Sequence, residues 1–365
     1  MATPLKYMYN PSYFETLCPV LARCLPGFNA REFIFRVFNN AWPDMELKER
    51  VRHISTVLHH FLDQDFTRAA SQVVDISRAL MNASRRQAFE NIFLPDYIEV
   101  YGCDHPDASL DALGEVTQLV SAEFAVRPFI QRYTGKALSY AHRWSKSANP
   151  SVRRLSSEGF RPRLPWAIAL PAFKADPGPV LPILERLKKD PSEYVRKSVA
   201  NHINDIAKDN PEIVLRLAEA WRGKHPHTDW IIRHGCRTLL KRGNTQALSL
   251  HGFAPGRKAQ VSDLRLPQRV RIGDDLHFSF VFKSREAQPT PFRLEYAIDY
   301  VTSTGRRSRK VFKLTENTFL PGQTVEIKRK QSFRNLTTRK HFPGKHGISI
   351  LANGKEHARG EFTLD

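Results

Sequence analysis

The sequence has little cysteine. Cys18, Cys24, Cys103 and Cys236 are scattered over 365 residues with no Cys-x-x-Cys pair. That excludes a disulfide framework and a structural zinc, and it implies a reduced, cytoplasmic setting. No apolar run approaches the roughly 18 residues of a membrane-spanning helix, so no membrane partner is expected. Met1-Ala-Thr-Pro-Leu-Lys-Tyr7 lacks the basic stretch and apolar run of a secretory signal. The common catalytic signatures are missing too: no Gly-x-Ser-x-Gly, no phosphate-cradling glycine loop, no His-Glu-x-x-His. The 14 histidines are spread thinly, and His59-His60 and His225-x-His227 are too isolated to be ligand sets, so no metal is expected.

Acidic residues are also in short supply. Lys and Arg number 56 against 37 Asp and Glu, a formal charge of +19. Residues 257–365 hold 22 of the basic and 11 of the acidic residues, so this smaller part carries +11 of the total. Basicity of this size in both parts favours a polyanionic partner, nucleic acid before an anionic membrane surface.

What is present, at 41% hydrophobic residues, suffices for packed cores. From Ala30 to about residue 250 the apolar residues recur at helical spacing. Phe33, Ile34, Val37 and Phe38 form one stripe and Leu47, Val51, Ile54, Val57, Leu58 and Leu62 the next. Asp107–Ser121 and Phe124–Tyr133 read as a further helix pair. Asn149-Pro-Ser-Val152-Arg recurs as Asp190-Pro-Ser-Glu-Tyr-Val195-Arg and, more weakly, around Ile232-Arg, at intervals of 43 and 37 residues. That period suits a two-helix HEAT-like repeat, whose Val-Arg helices line a concave binding face. After Gly252 the period changes to two. Leu276–Phe282, Phe292–Val301, Arg309–Leu314, Thr324–Lys328, Gly347–Leu351 and Ala358–Leu364 read as strands parted by Gly- and Asn-containing turns. The expected architecture is a HEAT-like α-helical solenoid over 1–252, then an immunoglobulin-like antiparallel β-sandwich over 253–365. In the sandwich, Arg306-Arg307-Ser-Arg-Lys310, Lys328-Arg329-Lys330 and Arg334–His346 read as basic turns. Arg306, Arg307, Lys328 and Arg329 would grip phosphates there, or else keep solvated strand edges apart.

One stretch concentrates unusual chemistry. Asn149–Trp166 contains four arginines, a single carboxylate, Glu158, and a tryptophan. Its first part reads as a helix from Pro150 to Glu158, halted by Gly159 and Pro162 and followed by the stiff loop Arg161-Pro-Arg-Leu-Pro-Trp166. A carboxylate ringed by Arg154, Arg161 and Arg163 is either a structural charge network or a site for a polyanion.

Ser156-Ser-Glu-Gly-Phe-Arg-Pro-Arg-Leu-Pro-Trp166, together with Asp190–Lys208, resembles the AlkC branch of the AlkC/AlkD DNA glycosylases over roughly the first 250 residues. Some members carry an immunoglobulin-like C-terminal domain. The resemblance implies excision of cationic alkylated bases such as 3-methyladenine from double-stranded DNA, in base excision repair, without a cofactor. Within that reading a monomer is expected. Glu158 and Asp205 would stabilise the oxocarbenium-like sugar and position water, with Glu123 assisting. Trp166 and Arg161 would contact the substrate, and Arg154, Arg161 and Arg163 would hold flanking phosphates. Each residue has a plainer alternative: Asp205 pairing with Lys208 or Arg196, Glu123 pairing with Arg127, and Trp166 lying in the core. The alternative for the whole chain is a non-catalytic HEAT-type DNA-binding or scaffold protein.

Overall fold

The computed structural model describes residues 4–84, 88–336 and 339–365. The chain divides into two compact units, Met1–Asn210 with Gly223–Gly235, and Pro211–Arg222 with Cys236–Asp365.

The first unit is helical. Three of its helices start at an asparagine cap. Asn10, Asn29 and Asn149 each accept a backbone N–H at the heads of Pro11–Cys24, Ala30–Val37 and Pro150–Glu158, and proline at the first position loses no hydrogen bond there. Leu47–His59 packs on Phe93–Tyr101, and Phe66–Ser84 on Pro106–Val116. One expected pair is shorter than its apolar pattern suggests. Helices run Pro106–Val116 and Arg127–Arg132, with turns between. Pro128 has no N–H to donate and sits in the first turn of the second helix, where no intrahelical bond is lost, and the residues from Phe124 form turns before it.

The Val-Arg repeat has a concrete cause. Pro150–Glu158 packs on Glu193–Asp209, which packs on Pro226–Gly235, and Val152, Val195 and Ile232 are all buried. The following arginine does the same work in two copies. Arg153 Nη1 donates to the carbonyls of Ser147 and Ala148, six and five residues back, at 3.0 and 2.8 Å. Arg196 Nη1 donates to Asp190 and Pro191, also six and five back, at 2.8 and 2.7 Å. Arg153 also reaches forward, with a bidentate pair to buried Asp190 at 2.6 and 2.9 Å. Each arginine thus closes its own helix entry, and Arg153 in addition ties one copy to the next.

Among its described residues the second unit holds the helices Pro211–Trp221, Arg237–Lys241 and Thr245–Leu250 and eight strands: β1 Ala259–Arg265, β2 Arg269–Val270, β3 Asp275–Ser284, β4 Thr290–Val301, β5 Arg307–Phe319, β6 Thr324–Ser332, β7 Gly344–Ala352 and β8 Lys355–Leu364. They form a three-stranded sheet, β1-β3-β6, and a five-stranded sheet, β2-β8-β7-β4-β5. All pairings are antiparallel except β2 on β8. Alternate residues of β3 (Leu276, Phe278, Phe280, Phe282) meet Phe292, Leu294, Ile298, Ile350 and Phe362 in one core, with Phe282 4.7 Å from the Phe319 ring. The basic runs lie mostly on strands rather than turns. Arg307–Lys310 belong to β5 and Lys328–Lys330 to β6, and both are edge strands. Charged side chains there stop the sheets adding further strands. Within the run Arg334–His346, residues 337–338 lie outside the described residues.

Candidate active site

The site grows from the C-terminal end of the Pro150–Glu158 helix. Carbonyls accumulate there, so a carboxylate is disfavoured unless cations offset it. Glu158 is 5% exposed. Arg161 Nη1 donates to its Oε1 at 2.7 Å, and Arg154 Nη2 lies 3.5 Å from the same oxygen. Glu158 Oε2 is buried and has no hydrogen-bond partner. Gly159 follows because Val126 is close: a Cβ there would sit 2.6 Å from Val126 Cγ1.

Arg161 joins two helices. Its Nε donates to Asp205 Oδ2, on Glu193–Asp209, at 2.8 Å, while Lys208 Nζ holds Asp205 Oδ1 at 2.8 Å. Glu158 and Asp205, 47 residues apart in sequence, therefore share one guanidinium. Glu123, in the turn before Arg127–Arg132, joins from the other side. Arg154 Nη1 lies 3.3 Å from Glu123 Oε2 and donates to Ser121 Oγ at 2.6 Å, and its guanidinium stacks 4.4 Å from the Tyr194 ring. The result is an alternating ladder, Glu123–Arg154–Glu158–Arg161–Asp205–Lys208. Buried charges persist where each is paired and hydrogen-bonded. Beneath the ladder lies His202, fully buried, with its pKa pushed down to about 3 by burial and by the Arg161 charge.

Some expected residues stand elsewhere or are engaged differently. Arg161, expected at the substrate or a phosphate, is buried, and its guanidinium is taken up by Glu158 and Asp205. Arg154 is likewise drawn inward, because two carboxylates and a tyrosine face surround it. Arg163 is half-exposed and forms a bidentate pair with Asp209 at 2.8 and 2.5 Å. Glu123 pairs with Arg154 rather than Arg127. In the sandwich, Arg306, Arg307, Lys328 and Arg329 are exposed. Arg307 lies 3.1 Å from Glu361, and Lys328 3.0 Å from Glu326. Lys328 and Arg329 also border a shallow cleft of about 880 Å³ with Arg265, His277 and Lys330.

Trp166 is 65% exposed, not core. Its φ is +67°, a left-handed conformation that costs a bulky L-residue about 1–2 kcal/mol. It borders a cavity of about 670 Å³ lined with Val51, Phe89, Pro95, Phe124 and Ile168, and with Glu99 at its edge. Burial and the neighbouring Asp96 push the Glu99 carboxyl up to about 7.

Arg127 enters the sequence reading only as an alternative partner for Glu123. It is fully buried, and its guanidinium donates to the carbonyls of Gly159 (2.9 Å), Arg161 (3.0 Å) and Ile168 (2.6 Å). Both ends of the loop carrying Trp166 thus close on one side chain. Burial, then the nearby Arg161 charge, lower its pKa to about 10. In sequence it is one arginine before a proline, with nothing to separate it from a surface residue. Among the described residues no three His, Cys, Asp or Glu side chains are placed to hold a metal ion. Nor is any helix long and apolar enough to cross a membrane.

Residues 260–365 match the family model described as "Uncharacterised protein YhaZ, C-terminal Ig-like domain". Over 352 residues the chain is 44% identical to a Bacillus subtilis (strain 168) protein described as "Uncharacterized protein YhaZ", covering 96% of each. Among solved structures it is similar to the Pseudomonas fluorescens alkylpurine DNA glycosylase AlkC bound to DNA containing an abasic site analog. That match has a TM-score of 0.92 and 38% identity and covers all of both chains.

Proposed function

The chain belongs to the AlkC branch of the AlkC/AlkD DNA glycosylase family, with an immunoglobulin-like C-terminal domain, and from that premise we propose that it is a monofunctional glycosylase. Its substrates are cationic alkylated bases in double-stranded DNA, 3-methyladenine first, then 3-methylcytosine and 1-methyladenine. The observation that carries this reading is the carboxylate ladder: Glu158 and Asp205 held together by one buried guanidinium, with Glu158 Oε2 unpartnered.

The chemistry follows from charge. When the C1′–N bond of a cationic base breaks, the bonding electrons neutralise the departing ring, so little acid assistance is needed. The positive charge moves to the sugar, where prepositioned carboxylates stabilise it far more effectively in a dry site than in water. Water then bonds to C1′ and loses a proton toward a carboxylate. Glu158 and Asp205 take these roles, and Glu123 stabilises them through Arg154. Arg161 is the strut that fixes the distance between the two carboxylates. Trp166 offers its ring face to the cationic base. Arg163, exposed where Arg154 is drawn inward, holds a flanking phosphate. In the sandwich, Arg306, Arg307, Lys328 and Arg329 hold phosphates without reading sequence. The module boundary is placed at 252/253, with the sandwich as a DNA-binding accessory.

The test is release of methylated base from duplex DNA bearing a single defined lesion. Release at a rate well above the spontaneous one supports the reading. Tight, salt-dependent DNA binding with no release would instead establish a non-catalytic DNA-binding protein.

A further inference from the structure

Trp166 presents a problem of support. Its backbone sits in the left-handed region, a conformation it shares among the described non-glycine residues only with Asp263 and Asn353. Asp and Asn tolerate that region through short polar side chains; an indole has no such compensation. Its ring is largely exposed, so packing does not hold it. Two backbone bonds brace its loop, Ala167 N–H to the Leu164 carbonyl and Leu170 N–H to the Pro162 carbonyl, and side chains from two other helices capture further carbonyls along it. Lys48, on Leu47–His59, donates to the Trp166 carbonyl at 2.6 Å. Arg127 Nε donates to the Ile168 carbonyl at 2.6 Å, and Gln131 Nε2 to the Ala169 carbonyl at 3.2 Å. Arg127 and Gln131 are four apart on one short helix and so share a face. At the other end of the loop, Arg127 also takes the Gly159 and Arg161 carbonyls.

We propose that Lys48, Arg127 and Gln131 are positioning residues that clamp the 159–169 loop and hold the Trp166 ring in the orientation required for the alkylated base. This rests on the glycosylase reading given above. The clamp acts through carbonyl oxygens and leaves the indole ring itself free for a ligand. Arg127 anchors it from inside, and exposed Lys48 and Gln131 complete it from the rim.

Lys48→Met keeps most of the side chain's length and removes the donor, and Lys48→Arg restores one. On DNA with a single cationic lesion, Lys48→Met lowers kcat about ten-fold, since a misplaced contact group costs rate more than affinity; KM changes less than kcat, and Lys48→Arg recovers most of the loss. In a Trp166→Ala background, Lys48→Met has no further effect. Equal losses in both backgrounds would overturn the proposal. An activity-independent measurement keeps it separate from the glycosylase reading: the fluorine spectrum of protein labelled with fluorotryptophan, with the Trp166 resonance assigned through Trp166→Phe. That resonance is a single sharp line in the parent and broadens or splits in Lys48→Met and Gln131→Leu. An unchanged line in both variants refutes the clamp, whether or not the protein releases bases.

Discussion

Arg161→Met tests the centre of the ladder. The substitution keeps the aliphatic stem and removes the guanidinium that holds Glu158 at 2.7 Å and Asp205 at 2.8 Å. Breaking one member out of a buried ion pair costs about 3–5 kcal/mol, because the partner charge stays buried without compensation. Here each partner keeps one cation: Arg154 at 3.5 Å for Glu158 and Lys208 at 2.8 Å for Asp205. The expected loss is therefore toward the lower end, about 2–4 kcal/mol. For a unit of this size that lowers the unfolding midpoint by about 5–12 °C. Scanning calorimetry of the full chain reads it in the transition of the helical unit. Neutralising a carboxylate in the same background, as in Arg161→Met with Glu158→Gln, removes one stranded charge and recovers about half of the loss. A single-variant shift under about 2 °C, or no recovery in the pair, would refute the account of Arg161 as the strut of a buried network.

Three further outcomes follow from other parts of the chain. Glu99 has its pKa raised to about 7 by burial and Asp96, so between its unfolded value and pH 7 the folded state holds the extra proton, and stability falls as pH rises through that window. Glu99→Gln lacks this penalty. Its stability relative to the parent therefore rises between pH 5 and pH 8 by about 1–2 kcal/mol, the full linkage value being discounted because the side chain is 28% exposed; a gap independent of pH contradicts this. Deleting 253–365 weakens DNA affinity and flattens the dependence of log K on log salt by about one unit per lost phosphate contact, and an unchanged slope would make the sandwich a spectator. Gly159→Ala forces a Cβ to within 2.6 Å of Val126 Cγ1, so thermal unfolding shifts down despite the better helix propensity of alanine; an upward shift would show that the loop can give way.

How much of this was legible beforehand follows from the range of each interaction. The Pro150–Glu158 helix was readable because its cap, its proline and its stop all lie within eleven residues. The six long strands declared themselves by alternation. β1 did not, because a register shift between Ser262 and Arg265, with Asp263 at φ +53°, breaks the period of two. β2, at two residues, carries no pattern. In the site, the carboxylates stood out by type and surroundings, but the meaning of the arginines did not. Arg161 looked like a phosphate grip because a sequence displays charge and not burial. Its inward turn depends on Asp205, 44 residues later, arriving on a packed helix. Arg127 and Lys48 are still less visible: they bind backbone carbonyls 41 and 118 residues away in the chain, and a carbonyl leaves no residue-type signature.

The most direct measurement is single-turnover release of 3-methyladenine from a defined duplex by the parent, Glu158→Gln and Asp205→Asn, with DNA affinity measured alongside. The account predicts that each variant binds DNA within about three-fold of the parent and loses a hundred-fold or more in rate, the scale of losing one preorganised electrostatic group. Near-parental rates in both variants, or no release by the parent, would contradict it.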